Sequence, residues 1–133
     1  MTDSGRELAR FAAAGVAGLA VDVAVLYLAL AAGCGPYGGR VLSFLCAVFA
    51  TWQINRRYTF AAGAEVVGGS LWREWWRYLV AMLGGGLVNY GAYSGAIAVG
   101  PRAPLWPMAA VALGSLAGMA VNFASAKFFV FKR

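Results

Sequence analysis

The chain has 133 residues, of which 62% are hydrophobic and 12% charged, and its formal net charge is +6. So little polar surface cannot coat a soluble globule, and eighteen glycines are typical of closely packed membrane helices. The composition therefore predicts an all-α membrane protein and excludes a separate soluble domain. The positive charges flank apolar runs, so they indicate membrane topology and not nucleic-acid binding.

Four membrane-spanning helices are predicted, at about 9–32, 37–58, 78–99 and 107–129. The first apolar run, from Phe11 to Gly33, is too long for a cleavable signal peptide and is interpreted as an uncleaved span. Gly and Pro at 33–39 favour a tight turn. The longest loop, 61–74, ends in tryptophans and arginines that are compatible with a short interfacial helix. Consecutive glycines at 84–86 predict a local helix irregularity.

The cations are distributed unevenly about these spans. Nine of the eleven Lys and Arg residues fall on the side of the two termini: Arg6, Arg10, Arg56, Arg57, Arg73, Arg77, Lys127, Lys132 and Arg133. Arg40 and Arg102 fall on the other side, and Arg40 is close enough to a helix start to extend outward to water. Because cytoplasmic loops are enriched in Lys and Arg, both termini are predicted to be cytoplasmic.

The chain also resembles two copies of one unit. An offset of 67 residues pairs Arg10 with Arg77, Phe11 with Tyr78, Gly18 with Gly85 and Asp22 with Asn89. The unit endings match at an offset of 71, which pairs Arg56 with Lys127 and Phe60 with Phe131. The difference of four residues between the two offsets predicts an insertion at 100–107. We therefore expect two repeated helical hairpins, related by an axis along the membrane normal.

Asp22, Asn89 and Asn122 are candidate polar side chains within the predicted spans. Asp22 is the sharpest signal, because a carboxylate at bilayer depth is costly unless it is paired, protonated or turned to a protein interior. A functional role is one interpretation, and a hydrogen bond to another helix, for example through Asn89, is the other. Asn122 shares one helix face with Gly114 and Gly118, which favours either a close helix contact or a ligand-binding amide.

A group of cations, here called the cationic collar, is predicted at the cytoplasmic interface: Arg10, Arg56, Arg57, Arg77 and Lys127, joined by Gln53 and Asn55. Topology and attraction to anionic membrane lipids explain each member singly. Together they suit a phosphate group, which needs forked donors and compensating charge. The hypothesis is that Arg56 and Arg57 hold the phosphate of an anionic lipid.

The candidate substrate-binding residues are therefore Arg10, Asp22, Asn55, Arg56, Arg57, Arg77, Asn89, Asn122 and Lys127. The sequence contains no His and no spacing typical of metal ligands. It also shows no nucleophile with a plausible base and no second carboxylate at membrane depth. The sequence thus predicts neither enzyme chemistry nor a cofactor.

Short motifs at the helix ends occur in a characteristic order. They are Arg10-Phe11 with Gly15 and Gly18, Asn55-Arg56-Arg57-Tyr58-Thr59-Phe60, Arg77-Tyr78, and Asn122-Phe123 with Lys127-Phe128-Phe129-Val130-Phe131. In these motifs the chain resembles the GtrA-like proteins, small membrane partners of polyprenyl-phosphate glycosyltransferases. One departure is Ala126, where many members carry an Asn matching Asn55.

The resemblance implies four membrane helices and a part in moving a polyprenyl-phosphate-linked sugar, typically undecaprenyl-phosphate-glucose. Movement would be from the inner to the outer leaflet of the bacterial cytoplasmic membrane, for cell-surface polysaccharide or glycan modification. It also implies a membrane-associated glycosyltransferase as partner. Because four helices enclose little space, a homodimer or a complex with that enzyme is expected.

Two other functions fit the sequence. Small proton-coupled multidrug exporters also have four spans and one carboxylate in the first, but their dual topology needs a weaker charge asymmetry than nine against two. A noncatalytic scaffold that positions a glycosyltransferase through the tryptophan-rich segment 71–76 is the other alternative.

Overall fold

The computed structural model describes residues 2–61 and 70–131, and within them the chain is 88% helical and has no strands. Four helices follow in order: α1 (Asp3–Ala31), α2 (Pro36–Ile54), α3 (Leu71–Val99) and α4 (Trp106–Ser125). A π-helical turn continues α2 as π1 (Asn55–Thr59), and another continues α4 as π2 (Ala126–Val130). The chain divides into two units, hairpin 1 with α1, α2 and π1, and hairpin 2 with α3, α4 and π2.

The helix boundaries follow from local chemistry. Thr2 Oγ1 accepts the Gly5 N–H at 3.1 Å at the start of α1, and Ser70 Oγ accepts the Trp72 N–H at 3.2 Å at the start of α3. A Schellman motif ends α1: Gly33 has a positive φ of 90°, and the Cys34 N–H donates to the Ala29 carbonyl at 2.9 Å. The tight turn predicted at 33–39 is thereby confirmed at 33–35, whereas residues 36–39 already belong to α2.

Two details of the predicted third span are wrong. The tryptophan-rich segment is not a separate interfacial helix, because α3 begins at Leu71 and continues without a break to Val99. Ser70 caps this helix and no Pro interrupts it, so extending it costs less than starting a second one. Gly84–Gly86 also lie in regular helix, since glycine weakens a helix interior without preventing its hydrogen bonds. The irregular turns are π1 and π2 instead.

Length and composition support membrane insertion. Asp3–Ala31 and Ala109–Val130 are long and apolar enough to cross a membrane, with mean hydropathies of 2.1 and 1.5. At 1.5 Å per residue α1 is about 44 Å long, more than the hydrocarbon thickness of a bilayer. Val16 and Leu19 on α1 are 71% and 62% exposed, as expected of side chains that face lipid. Four spans and cytoplasmic termini remain predictions.

Equivalent glycines let the two helices of each hairpin approach closely. A Cβ atom on Gly18 would overlap Thr51 Cγ2, and a Cβ atom on Gly85 would overlap the Asn122 amide. The offset of 71 that matches the unit endings also pairs Thr51 with Asn122. The glycine contact therefore occurs at equivalent positions within the two hairpins.

Aromatic pairs repeat in the same way at the end of each hairpin where its first helix begins, here called the terminal end. The Phe11 and Phe60 ring centroids are 6.2 Å apart at an interplanar angle of 59°, and those of Tyr78 and Phe131 are 6.3 Å apart at 60°. Both offsets found in the sequence thus describe equivalent contacts within the two hairpins. The repeat is a structural one.

The opposite end of each hairpin, where a loop joins its helices, is here called the connection end. Residues 100–105 form a longer connection than residues 32–35, as the change of offset predicts. Trp106 closes the longer one, because its Nε1–H donates to the Ala96 carbonyl at 2.8 Å and its indole lies against Gly100.

The glycine contact in hairpin 2 gives a stability prediction. Gly85→Ala places a methyl group on the Asn122 amide, and we expect it to destabilise the protein by about 1–3 kcal/mol. Gly86→Ala is the matched control, because nothing lies within 4 Å of a Cβ atom there. Unfolding of both variants in mild detergent measures the difference. Equal stability of the two would contradict the close approach at Gly85.

Candidate functional site

The terminal end of hairpin 2 carries an open groove of about 870 Å³. It lies between the first turns of α3 and the end of α4 with π2. The lining residues combine cations, aromatic rings and small side chains: Arg73, Trp76, Arg77, Val80, Ala81, Gly84, Ser125, Phe128 and Phe129. We call this feature the hairpin 2 groove.

Two guanidinium groups lie at the hairpin 2 groove without an ion-pair partner among the described residues. Arg73 and Arg77 are one helical turn apart, so their side chains share a face of α3. Both are exposed, and within the described part of the chain neither forms an ion pair or a hydrogen bond. Because an apolar wall lowers the local dielectric, their attraction for an anion is stronger here than in bulk water.

The apolar wall of the groove follows from π2. This turn directs Phe128 and Phe129 outward, 61% and 73% exposed, while Val130 and Phe131 are buried at 1% and 0%. Lys127 lies in the same turn, and its Nζ is 5.8 Å from the centroids of the Phe123 and Phe128 rings. That placement is a cation–π contact, which holds the amino group beside the rings.

Sequence reasoning selected Arg77 for this region but missed Arg73, Trp76 and Ser125 as lining residues. The signal was present in the sequence, because positions 73, 76, 77, 80, 81 and 84 recur at helical spacing along one stripe of α3. A stripe of cation, aromatic and small residues is visible only once α3 is known to begin at Leu71.

The terminal end of hairpin 1 brings together four of the predicted site residues. Arg10 Nη1 donates to the Tyr58 carbonyl at 3.0 Å and thereby ties α1 to π1. Arg57 is exposed, whereas Arg56 is partly buried. The two are adjacent in one helical turn, so their side chains leave the backbone in different directions. Their joint contact with one phosphate remains a prediction.

Asn55 is the fourth residue at this end, and it is 1% exposed. Its Oδ1 accepts the Thr59 hydroxyl at 2.8 Å inside π1. The equivalent positions in π2 are Ala126 and Val130, which are also buried but apolar. The polar pair is thus one of two ways in which this chain fills the interior of a π-helical turn, and burial favours a structural role for Asn55.

Asp22 is paired, and its partner is Arg40 rather than a residue such as Asn89. Arg40 Nη1 donates to Asp22 Oδ1 at 2.5 Å, with side-chain exposures of 58% for Arg40 and 14% for Asp22. The same nitrogen lies 3.5 Å from the hydroxyl of Ser43, which is fully buried. Sequence reasoning treated Arg40 as a topology signal because helix spacing does not show which residues of α1 and α2 face each other.

Asn89 and Asn122 lie in the contact between α3 and α4. A Cβ atom on Gly114 would come within 2.7 Å of Asn89 Oδ1, and one on Gly118 within 2.8 Å of Asn89 Cβ. The shared face predicted for Gly114, Gly118 and Asn122 is therefore confirmed as a helix contact. Asn122 Oδ1 is buried and has no hydrogen-bond partner among the described residues.

Two carboxylates were missed by the sequence analysis. Glu7 and Glu74 are equivalent at the offset of 67, and both are buried, at 5% and 7% exposure. Each lies one turn before the aromatic residue at the terminal end of its hairpin, Phe11 or Tyr78. The predicted first span begins at about residue 9, so Glu7 falls outside it and the offset of 67 is not extended to it.

These observations place the nine predicted residues in three kinds of environment. Arg10, Asn55, Arg56 and Arg57 lie at the terminal end of hairpin 1, and Arg77 and Lys127 lie at that of hairpin 2. Asp22 lies toward the connection end of hairpin 1, and Asn89 and Asn122 lie between the helices of hairpin 2. In the described ranges, no three His, Cys, Asp or Glu side chains are arranged to hold a metal ion.

Long apolar helices, lipid-facing side chains and a cationic aromatic groove define a multi-pass membrane protein with a surface suited to an anionic amphiphile. The chain matches the GtrA/DPMS transmembrane domain over residues 10–131 and belongs to that family. Members are generally noncatalytic membrane proteins, and the family relates the chain to glycosyl-lipid function. A search of the curated proteins finds no match.

The buried pair in π1 gives a second prediction. Asn55→Ala removes the acceptor of a buried hydroxyl, and we expect a loss of about 1–3 kcal/mol of stability. Adding Thr59→Val reproduces the apolar pair of π2, so the double variant should recover much of that loss. Detergent unfolding of both variants checks this. A double variant as unstable as the single one would show that the hydroxyl is not the cause.

Proposed function

We propose that this protein flips a polyprenyl-phosphate-linked sugar across the bacterial cytoplasmic membrane for cell-surface polysaccharide or glycan modification. The observation that supports this most is the hairpin 2 groove, where two exposed guanidinium groups adjoin an aromatic wall. Membership of the GtrA/DPMS family supports a glycosyl-lipid as the substrate class.

The groove fits both chemical parts of such a lipid. Arg73 and Arg77 offer forked N–H donors, which match the geometry of a phosphate group. Trp76, Phe128 and Phe129 offer ring faces and edges for the isoprenoid chain. Its volume of about 870 Å³ suits the phosphate with the first isoprene units and leaves the remaining chain in the bilayer.

The direction of loading follows from the charge distribution. We propose four spans with both termini cytoplasmic, which puts the terminal end of hairpin 2 at the inner leaflet. The remaining collar residues, Arg10, Arg56, Arg57 and Lys127, add positive potential for an anionic lipid. As the lipid passes, Asn89 and Asn122 offer hydrogen bonds to sugar hydroxyls, and Asn122 Oδ1, which has no hydrogen-bond partner among the described residues, supports such a role.

The proposal also includes partners. A membrane-associated glycosyltransferase would supply the sugar lipid at the cytoplasmic face. A homodimer would supply the additional wall that a sugar needs, because four helices enclose little space.

One alternative is favoured by a specific observation. Trp72 is 66% exposed and its ring is 5.5 Å from that of Trp76, so an aromatic surface is available to a protein partner. This suits a scaffold that positions the glycosyltransferase. The exporter alternative is weakened, because the ion pair to Arg40 occupies the one carboxylate on which that function rests.

Reconstitution tests the groove directly. The purified protein alone, in liposomes with a fluorescent polyprenyl-phosphate sugar, should accelerate exchange between leaflets. Arg73→Ala with Arg77→Ala should slow that exchange at least about tenfold, because two charged hydrogen bonds to phosphate are lost. Arg102→Ala is the control, since that exposed cation lies at the connection end. No exchange without the glycosyltransferase would favour the scaffold.

The two native cysteines test the topology. Cys34 is exposed at the connection end of hairpin 1, and Cys46 lies within α2. In intact spheroplasts of Cys46→Ser, a membrane-impermeant maleimide should label Cys34 from outside. Cys34→Ser with Ser4→Cys is the matched control and should react only after the membrane is opened. The reverse pattern would overturn cytoplasmic termini.

A further inference from the structure

Hairpin 1 carries a second cationic group at a different depth from the collar. Asp22 precedes the end of α1 by about 14 Å, and Arg40 follows the start of α2 by about 6 Å, at 1.5 Å per residue. Both therefore lie toward the connection end. Arg40 is the one cation of α2 and π1 that lies there.

The contacts of Arg40 leave part of its guanidinium open. Nη1 bonds Asp22 and approaches Ser43, and the Ser43 hydroxyl donates in turn to the Arg40 carbonyl at 3.0 Å. Among the described residues, Nε and Nη2 have no partner. These two nitrogens form a forked edge, and the Arg40 side chain is 58% exposed. An oxyanion can therefore reach the fork without displacing Asp22.

Asp22 also limits how tightly an oxyanion is held. Its carboxylate neutralises Arg40 and repels a second anion a few ångströms away. The collar at the terminal end of this hairpin has no carboxylate bonded to Arg10 or Arg57 in the described part of the chain.

The pair belongs to hairpin 1 alone. The positions equivalent to Asp22, Arg40 and Ser43 in hairpin 2 are Asn89, Val111 and Gly114. There the helix contact has an amide against a glycine and no charge. Ordinary packing at this level of a hairpin therefore does not require the ion pair.

We propose that Arg40 forms a second phosphate site of low affinity. Asp22 keeps that affinity low, so that an anionic lipid is released at the connection end. The inference deepens the proposed function and rests on it. Asp22 is a positioning residue, because it acts on the phosphate through Arg40. Its removal should strengthen binding, the opposite of what a direct substrate ligand would show.

Equilibrium binding of a synthetic polyprenyl monophosphate to the full chain in neutral-lipid nanodiscs tests this site. The background is Arg57→Ala with Arg73→Ala and Arg77→Ala, so that neither the collar nor the hairpin 2 groove dominates the binding. Asp22→Asn should raise the affinity about tenfold, and adding Arg40→Gln should abolish the rise. The neutral polyprenol is the matched probe, and its binding should not change. Asn is expected to fit at position 22, since the equivalent residue in hairpin 2 is Asn89.

Lipid exchange between leaflets, measured with native Arg73 and Arg77, distinguishes the weak phosphate site from the proposed function. Asp22→Asn should slow exchange several-fold, and Asp22→Asn with Arg40→Gln should not be slowed to the same extent. If affinity rises but no variant exchanges lipid, the weak site stands and the proposed function fails. If the native chain exchanges lipid but Asp22→Asn leaves affinity unchanged or lowers it, the weak site is overturned.

The weak site can be tested even if the Asp22→Asn variant does not fold. Arg40→Gln alone keeps Asp22 and, in the same background, must remove the binding that depends on phosphate at the connection end. Unchanged binding of the monophosphate to that variant would also overturn the proposal.

Discussion

The close approach of the two helices at glycine determines the rest of each hairpin. Gly18 meets Thr51 and Gly85 meets Asn122, with no room for a methyl group in either place. Because the second helix is fixed there, the turn that follows it must reach the first helix's aromatic residue. Phe60 meets Phe11, and Phe131 meets Tyr78, through π-helical turns. Such turns widen the helix by one residue, and the side chains that follow are directed either outward or into the hairpin.

The two hairpins share this helix contact but differ in the charged and aromatic residues around it. In hairpin 2, π2 exposes two phenylalanines beside Arg73 and Arg77 and forms the groove. In hairpin 1, the residues equivalent to those phenylalanines are Arg57 and Tyr58, and the Tyr58 carbonyl binds Arg10. Hairpin 1 instead carries the Asp22–Arg40 pair. Divergence at the polar positions of a repeated hairpin accounts for the groove in one copy and the ion pair in the other.

Much of this was predictable from the sequence, for physical reasons. Apolar length and charge asymmetry do not depend on tertiary contacts, so the helical membrane class, the two offsets and the longer second connection were all accessible. The contacts between side chains of different helices were not accessible from the sequence. Helical spacing shows which residues share a face, but the rotation of α2 against α1 decides that Asp22 meets Arg40. The start of α3 at Leu71 was missed because its tryptophans and arginines fit an interfacial helix equally well, and with it the stripe that lines the groove.

The central claim is that the hairpin 2 groove binds the phosphate end of a prenyl lipid. Photo-crosslinking measures this most directly, with a diazirine placed in the first isoprene unit of a polyprenyl monophosphate and adducts mapped by mass spectrometry. The account predicts adducts concentrated at residues 76–84 and 125–129, and their loss when a neutral polyprenol carries the diazirine. Adducts spread evenly over lipid-facing residues such as Val16 and Leu19, or unchanged with the neutral probe, would contradict it.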